Sequence, residues 1–180
     1  MKKELTILGS TLAAAGAFAQ GQVNFAARVV GVYDAPVFVG FPACGVRAEG
    51  PGYIVQLYAG PTQTSLAPVG APLPLGIGTD AGYWTATTET INTVDGNGNA
   101  FVQVRAWARS QGATYEAAFA TGAGWGTSDF LKVKPTQAPD GPAPLTGLLS
   151  FGIIWDFCPE PSIMALGALG GLALLLGRRK

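Results

Sequence analysis

The clearest structural signal in the chain lies in residues 101–107, which read Phe101-Val102-Gln103-Val104-Arg105-Ala106-Trp107. Side chains along a β-strand point alternately to its two faces, so Val102, Val104 and Ala106 share one face. That face is purely apolar, whereas the other carries Phe101, Gln103, Arg105 and Trp107. We therefore predict a strand over residues 100–108, with one face in the core and one amphipathic face.

Short β-like runs recur on both sides of this strand, separated by glycine and proline. Residues 53–58 are apolar on both faces apart from Gln56, which is typical of a strand in the middle of a sheet. The other candidate strands are residues 23–33, 82–87, 114–120, 130–133 and 148–157. No segment between residues 21 and 157 keeps a helical apolar period beyond two turns. About seven short strands predict an all-β fold, a small antiparallel β-sandwich.

The composition of the chain excludes one class of partner. Only 12% of the 180 residues are charged, against about 25% in an average protein. Between Gln20 and Pro161 there are six basic and ten acidic residues, so this part is mildly acidic. Because nucleic-acid binding needs a basic patch or stripe, nucleic acid is not an expected partner.

The first nineteen residues have the three parts of a signal peptide. Lys2 and Lys3 precede an apolar run over residues 5–18, and Ala17-Phe18-Ala19 supplies the small-x-small pattern that signal peptidase accepts. We predict cleavage between Ala19 and Gln20. A buried N-terminal helix is the alternative interpretation.

The last residues combine a proline-flanked motif, a hydrophobic run and a basic end. Pro159-Glu160-Pro161 is followed by apolar residues 163–177 and then by Arg178, Arg179 and Lys180. Fifteen helical residues reach about 22 Å, which is marginal for a hydrocarbon core of about 30 Å. The positive-inside rule places the basic tail in the cytoplasm. A buried C-terminal helix or a plain tail anchor would be the alternatives.

This three-part ending resembles the PEP-CTERM sorting signal of Gram-negative bacteria. The resemblance implies that Pro159, Glu160 and Pro161 form the motif at which an exosortase-type protease of the inner membrane removes the helix. It also implies a link to the cell surface, biofilm and exopolysaccharide. The predicted organisation is a signal peptide (1–19), an exported domain (20–158) and a sorting signal (159–180), with the domain ending in the cell envelope or outside the cell.

The exported domain itself resembles small PEP-CTERM proteins of the planctomycete and verrucomicrobial type. The likeness rests on the Gly-Pro-Gly-Tyr lead-in to residues 53–58, the Gln-Leu-Tyr-Ala-Gly-Pro end of that strand, and the Val-Gln-Val-Arg-Ala-Trp strand. The function of such proteins is generally unassigned, so this resemblance implies a class and no activity.

The residues available for catalysis or metal binding are few. The chain has no histidine, which excludes Ser-His-Asp and Cys-His catalysis and every imidazole metal site. Cys44 and Cys158 are its two cysteines, and we predict that they form a disulfide that stabilises the exported fold by about 4–5 kcal/mol. Two independent thiols are the alternative.

Acidic side chains offer two further hypotheses. Residues 95–99, Asp-Gly-Asn-Gly-Asn, superficially resemble a calcium loop but lack its closing glutamate, so we predict a solvated hairpin turn. A carboxylate pair for glycoside hydrolysis would require two of Asp80, Glu89, Glu116 and Asp129 to meet. Their spacing gives no such indication, and we expect no enzymatic activity, metal or cofactor.

Aromatic side chains are the candidates for ligand contact. Trp84, Trp107, Trp125 and Trp155, with several tyrosines, are able to form a sugar-stacking platform, although core packing explains most of them equally well. Trp125 lies between glycines in residues 122–126, which predicts a loop. We predict ligand contacts at Gln103, Arg105, Trp107 and Trp125, with anchoring of the loop on the core as the alternative for Trp125.

The expected function is that of an exported, non-enzymatic, structural or adhesive component of the envelope or extracellular matrix. A carbohydrate-binding module that contacts extracellular polysaccharide is the first alternative. A hydrolase is the second.

Overall fold

The computed structural model describes residues 20–42, 45–95, 98–137 and 139–155, and most of its regular structure is β-strand. The predicted signal peptide, Cys44, Cys158 and the sorting signal lie outside these residues. Within the described ranges, no helix combines the length and apolar character needed to cross a membrane.

The described strands are numbered in chain order. They are β1 (Gln20–Phe25), β2 (Arg28–Val29), β3 (Tyr33–Asp34), β4 (Val37–Val39), β5 (Tyr53–Gly60), β6 (Ala67–Pro74), β7 (Thr87–Asp95), β8 (Ala100–Ala108), β9 (Trp125–Thr127), β10 (Leu131–Val133), β11 (Ala143–Pro144) and β12 (Phe151–Ile153). One α-helix, α1 (Tyr115–Thr121), lies between β8 and β9 in this part of the chain.

The larger sheet is built on the strand that the sequence signals most clearly. Its order is β10-β8-β5-β6, and β9 pairs with β8 beside β10. β5 and β8 are antiparallel over eight residue pairs, from Tyr53 opposite Ala108 to Gly60 opposite Phe101. The prediction of a strand over residues 100–108 and of a mid-sheet strand over residues 53–58 is confirmed.

A second sheet shares the core with the first. Its order is β11-β1-β7, with β1 antiparallel to β7 and parallel to β11. Val23 and Ile91 of this sheet join one buried cluster with Val102, Val104 and Ala106 of β8. The predicted apolar face of β8 is therefore a core face, and both sheets contribute residues to the same hydrophobic cluster.

Two small sheets complete the described fold. β2 and β3 form a short antiparallel pair, whereas β12 runs parallel to β4. An isolated bridge between Trp125 and Ile154 connects β9 to the end of β12. This bridge brings the last described residues beside the edge of the larger sheet.

The predicted strand over residues 114–120 is wrong, because the chain there forms α1. The Thr114 side chain accepts a hydrogen bond from the Ala117 amide (3.3 Å), which caps the first turn. Gly122 ends the helix in the left-handed conformation (φ 84°), and its amide donates to the Phe119 carbonyl. These caps outweigh the β-propensity of Tyr115 and Phe119.

Several other segments also differ from the sequence prediction. Residues 82–87 are irregular until β7 begins at Thr87, and residues 23–33 are interrupted at 26–27 between β1 and β2. The predicted hairpin at residues 95–99 is also wrong. β7 pairs with β1 whereas β8 pairs with β5, so this connection links two sheets. β6 was not predicted because it contains three prolines, which an edge strand tolerates.

Candidate functional site

The four predicted contact residues are brought together on adjacent strands. Gln103, Arg105 and Trp107 lie on β8, and Trp125 lies opposite Trp107 on β9. Trp125 was predicted in a loop, but it is the first residue of a strand. The glycine at position 126 is itself a strand residue, so a flanking glycine was a misleading sign of a loop here.

Two of these four residues are buried, with exposed fractions of 7% for Gln103 and 1% for Trp107. Gln103 Nε2 donates to the Ser128 carbonyl (3.1 Å), and Trp107 Nε1 donates to the Gly112 carbonyl (3.2 Å). The polar groups of these two side chains are thus hydrogen-bonded to the backbone inside the fold. The exposed part of the predicted patch is reduced to Arg105 and Trp125, which are each half-buried.

The Arg105 side chain, which belongs to β8, contacts two aromatic rings and one carboxylate. Its guanidinium carbon lies 4.0 Å from the ring centroid of Tyr58 and 4.8 Å from that of Tyr115. One guanidinium nitrogen lies 3.7 Å from a carboxylate oxygen of Glu116, and Arg105 Nε donates to Gln103 Oε1 (3.0 Å). Such cation–π contacts strengthen as water is excluded. These contacts of Arg105 connect α1 to the larger sheet.

Tyr58 completes this polar cluster. Its hydroxyl donates to Glu116 Oε1 (2.8 Å). Burial raises the pKa of Tyr58 far above its ordinary value, and the hydrogen bond to Glu116 and the negative charge of Glu116 add to the effect. The pKa of Tyr115 is also raised, again mainly by burial. Both phenols are therefore protonated at physiological pH, and Tyr58 acts as a donor to Glu116. This partnership was not predictable from the sequence, because Tyr58 and Glu116 are 58 residues apart in the chain.

Trp125 connects this cluster to an open groove. Its ring lies 4.7 Å from that of Phe119 and 6.1 Å, edge to face, from that of Tyr115. Contacts of this kind fix a ring without covering all of it. One side of the Trp125 ring thus packs against α1, which agrees with the alternative that this residue has an anchoring role. The ring also lines the groove described next.

The groove, called here the Trp groove, is a cavity of about 200 Å³ beside β9 and the last described residues. Its lining consists of Gly40, Phe41, Trp125, Gly126, Thr127, Gly152, Ile154 and Trp155. None of these residues is charged. Phe41 and Ile154 are 61% and 41% exposed, so the rim of the groove is apolar and open to solvent.

Two residues that line the Trp groove carry a buried hydrogen-bond donor without an acceptor. Within the described part of the chain, the indole nitrogens of Trp125 and Trp155 are the buried side-chain polar atoms that lack a partner. A buried N–H group without an acceptor costs about 1–3 kcal/mol, so native structures rarely leave one unpaired. Both nitrogens are shielded from solvent and therefore do not face the open groove.

Close backbone packing explains the glycines of the groove. A side chain at Gly126 would overlap the carbonyl of Gly152, and one at Gly152 would overlap the carbonyl of Gly40. The Gly40 amide also donates to the Ile153 carbonyl (2.7 Å). Glycine is thus required here for three chain segments to meet, and these segments also carry Trp125 and Trp155.

A second cavity, of about 370 Å³, lies near Tyr83 and Trp84. The guanidinium carbons of Arg28 and Arg47 lie 4.8 Å and 5.0 Å from the Tyr83 ring centroid, and the Tyr83 hydroxyl donates to Asp34 (2.8 Å). Burial and Asp34 raise the pKa of Tyr83. Because these polar groups are already paired with one another, this cavity is a weaker candidate for a functional site than the Trp groove.

The acidic residues considered for hydrolysis lie on different elements. Glu89 is on β7 of the smaller sheet and accepts from Thr87 Oγ1 (2.9 Å), whereas Glu116 is on α1 and is engaged by Arg105 and Tyr58. Asp80 ends a short 3₁₀ turn, and Asp129 follows β9. The described residues also contain no group of three metal-ligating side chains.

Comparisons with known proteins give no relative of this chain. No protein-family model matches it, and neither a curated protein nor a solved structure is significantly similar to it.

Proposed function

We propose that the protein is an exported component of the cell envelope or extracellular matrix, sorted through a PEP-CTERM-type ending. One observation carries the proposal. The last described strand, β12, ends at Ile153, before Pro159. Removal of the segment from Pro159 onward would therefore leave β12 intact, as processing of a folded cargo requires.

The fold of this cargo is best interpreted as a β-sandwich. The support is the shared core, in which Val23 and Ile91 of the smaller sheet pack with Val55, Leu57 and Val104 of the larger one. Two sheets that face each other over one apolar interior define this architecture. A fold of this kind suits a surface component, because its loops at the sheet ends are free to contact partners.

Exposed apolar side chains support an adhesive or structural role. Val30 is almost fully exposed in the β2–β3 turn, and Ile77 and Leu149 are also exposed in connecting segments. Few charges and exposed apolar side chains are compatible with contacts to other matrix components. We propose that the protein acts by such contacts and without catalysis.

Cell fractionation tests the sorting proposal. The full chain is produced in a Gram-negative host with and without an exosortase, and its location is followed by immunoblotting. We expect release from the inner membrane in the exosortase host alone. The double variant Pro159→Ala/Pro161→Ala should stay in the inner membrane there, whereas the control Pro68→Ala, on edge strand β6, should be released. Equal distribution in both hosts would contradict sorting.

Carbohydrate binding is the second candidate function, and the observation that favours it is the Trp groove, whose uncharged lining includes Phe41, Trp125 and Trp155. It is compatible with export, since matrix components meet extracellular polysaccharide.

A further inference from the structure

Backbone hydrogen bonds hold the last described residues to the rest of the fold. β12 runs parallel to β4, and the Gly40 amide donates to the Ile153 carbonyl (2.7 Å). One residue further along, the Ile154 amide donates to the Trp125 carbonyl (2.7 Å), and the Ile154 carbonyl accepts from the Gly124 amide (2.6 Å). These three hydrogen bonds tie the end of the described body to two other segments of the chain.

Side chains of the same residues are packed into the fold. Phe151 and Ile153 are buried in the main hydrophobic cluster, and Trp155 packs against that cluster. Gly152 leaves no room for a side chain, since an added carbon would overlap the carbonyl of the residue that follows β4. Residues 151–155, called here the C-terminal clamp, are therefore fixed by backbone and side-chain contacts together.

The predicted processing motif follows this clamp closely. Three residues, Asp156 to Cys158, separate Trp155 from Pro159. An extended chain spans about 3.3–3.6 Å per residue, so Pro159 lies within about 18 Å of Ile154. Peptides are commonly recognised in extended form through their main-chain N–H and C=O groups. At Ile154 both groups are already used inside the fold, so a protease that needs main-chain contacts before the motif competes with the clamp.

We propose that the C-terminal clamp must open before the tail is removed, so that the folded protein keeps its membrane segment until β12 detaches. The inference rests on the proposed sorting through Pro159–Pro161. A strand of three residues at the end of a fold opens at a lower free energy than the whole fold. β-rich domains commonly fold within seconds, so the clamp forms soon after export. Opening of the clamp then sets how long the protein stays in the membrane.

A pulse–chase experiment with the full chain in the exosortase host tests this proposal. The half-time for loss of the tail is compared between the unmodified chain and a variant with Gly-Ser-Gly-Ser inserted between Trp155 and Asp156. The insertion keeps the clamp contacts but moves the motif away from the body. We expect removal of the tail to be at least about tenfold faster, the factor that corresponds to an opening free energy of about 1.4 kcal/mol.

The matched control carries the same insertion on the other side of the clamp. It is placed between Leu149 and Ser150, before β12, where Leu149 is exposed. This control lengthens the chain equally but leaves the distance between the clamp and the motif unchanged. Its half-time should therefore equal that of the unmodified chain.

A second variant opens the clamp without lengthening the chain. Ile154→Pro removes the amide that donates to the Trp125 carbonyl, so it should also accelerate loss of the tail. Ile154→Ala keeps this amide and should have a smaller effect. All variants are repeated with Cys44→Ser, which removes any contribution of the predicted disulfide.

The outcomes separate the clamp from the sorting signal. Equal half-times for the unmodified chain, the insertion after Trp155 and Ile154→Pro would overturn the clamp proposal and leave the sorting proposal standing. An equal acceleration by the insertion after Leu149 would also overturn it. Retention of the tail by every variant in the exosortase host would instead overturn the sorting proposal, and the clamp proposal with it.

Discussion

At the scale of single residues, Arg105 illustrates how one charged side chain is accommodated at the edge of an apolar cluster. Its guanidinium stacks on Tyr58 and Tyr115 and faces Glu116, while its Nε donates to Gln103. From the sequence, the same residue was a candidate ligand contact. The alternation of β8 placed it on the correct face, but the helix that covers that face was not predicted.

Replacing Arg105 should therefore affect stability. Arg105→Ala removes two cation–π contacts and leaves Gln103 Oε1 without its donor, so we expect a loss of about 2 kcal/mol in the free energy of unfolding. The exposed Arg109→Ala, one residue beyond β8, should change it by less than about 0.5 kcal/mol. Urea unfolding followed by tryptophan fluorescence measures both. Equal effects would contradict the described role of Arg105.

The tyrosines predict how stability depends on pH. The pKa values of Tyr33, Tyr58, Tyr83 and Tyr115 are all raised in the fold, mainly by burial. Below about pH 10 the phenols are protonated in the folded and in the unfolded chain, so the stability that they contribute is fully present there. Above it the unfolded chain loses protons that the fold retains, and stability falls by up to about 1.4 kcal/mol per pH unit for each tyrosine.

Tyr58→Phe isolates one part of this pH dependence. The variant loses the hydrogen bond to Glu116, about 1 kcal/mol at neutral pH, but its stability should fall less steeply above pH 10 than that of the unmodified chain. Urea unfolding at a series of pH values measures the slope. An unchanged slope would show that Tyr58 ionises equally easily in both states.

At the scale of secondary-structure elements, prediction succeeded where one strand's pattern was sufficient. β8 and β5 were predicted correctly because their patterns can be read from consecutive residues. β8 alternates between an apolar and an amphipathic face, and β5 is apolar on both faces. α1 was missed because seven residues are too short for a helical period, and Tyr115 and Phe119 favour strands. The informative signals were Thr114 and Gly122, one on each side of the segment.

Capping should therefore control the stability of α1. Thr114→Ala removes the side chain that accepts from the Ala117 amide and should cost about 1 kcal/mol of unfolding free energy. Thr114→Ser keeps the hydroxyl and should cost much less. Equal losses for both variants, in the same urea experiment, would mean that the cap does not hold the helix.

The Trp groove depends on contacts that no single element contains. Its walls come from three separate segments, near residues 41, 126 and 154, so no local pattern marked Trp155 as the neighbour of Trp125. The packing of Gly126 against the Gly152 carbonyl holds these segments together. This contact was not predictable from sequence, because a glycine in a strand does not indicate which residue packs against it.

Gly126→Ala tests this contact. The new methyl group would overlap the Gly152 carbonyl, and overpacking of this kind costs about 1–3 kcal/mol. Gly141→Ala is the matched control, since nothing lies near its added carbon. Differential scanning calorimetry should show a lower midpoint for the first variant only. Equal midpoints for both variants would contradict the close packing.

At the scale of the whole molecule, a folded β-rich body lies between two predicted processing sites. The body was predictable as a class, since short strands separated by glycine and proline indicate β structure. The order of its strands was not, because β1 pairs with β11, more than a hundred residues away, through contacts that have no local signature. The Trp groove supports the second candidate function, carbohydrate binding, which is compatible with export.

The most direct test of this account is the intact mass of the protein recovered from cells with and without an exosortase. We predict a product that begins at Gln20 and ends near Pro159–Pro161 when the enzyme is present, and a longer product that retains Arg178 to Lys180 when it is absent. A product that retains the basic tail in both hosts would contradict the account and make the ending a plain membrane anchor.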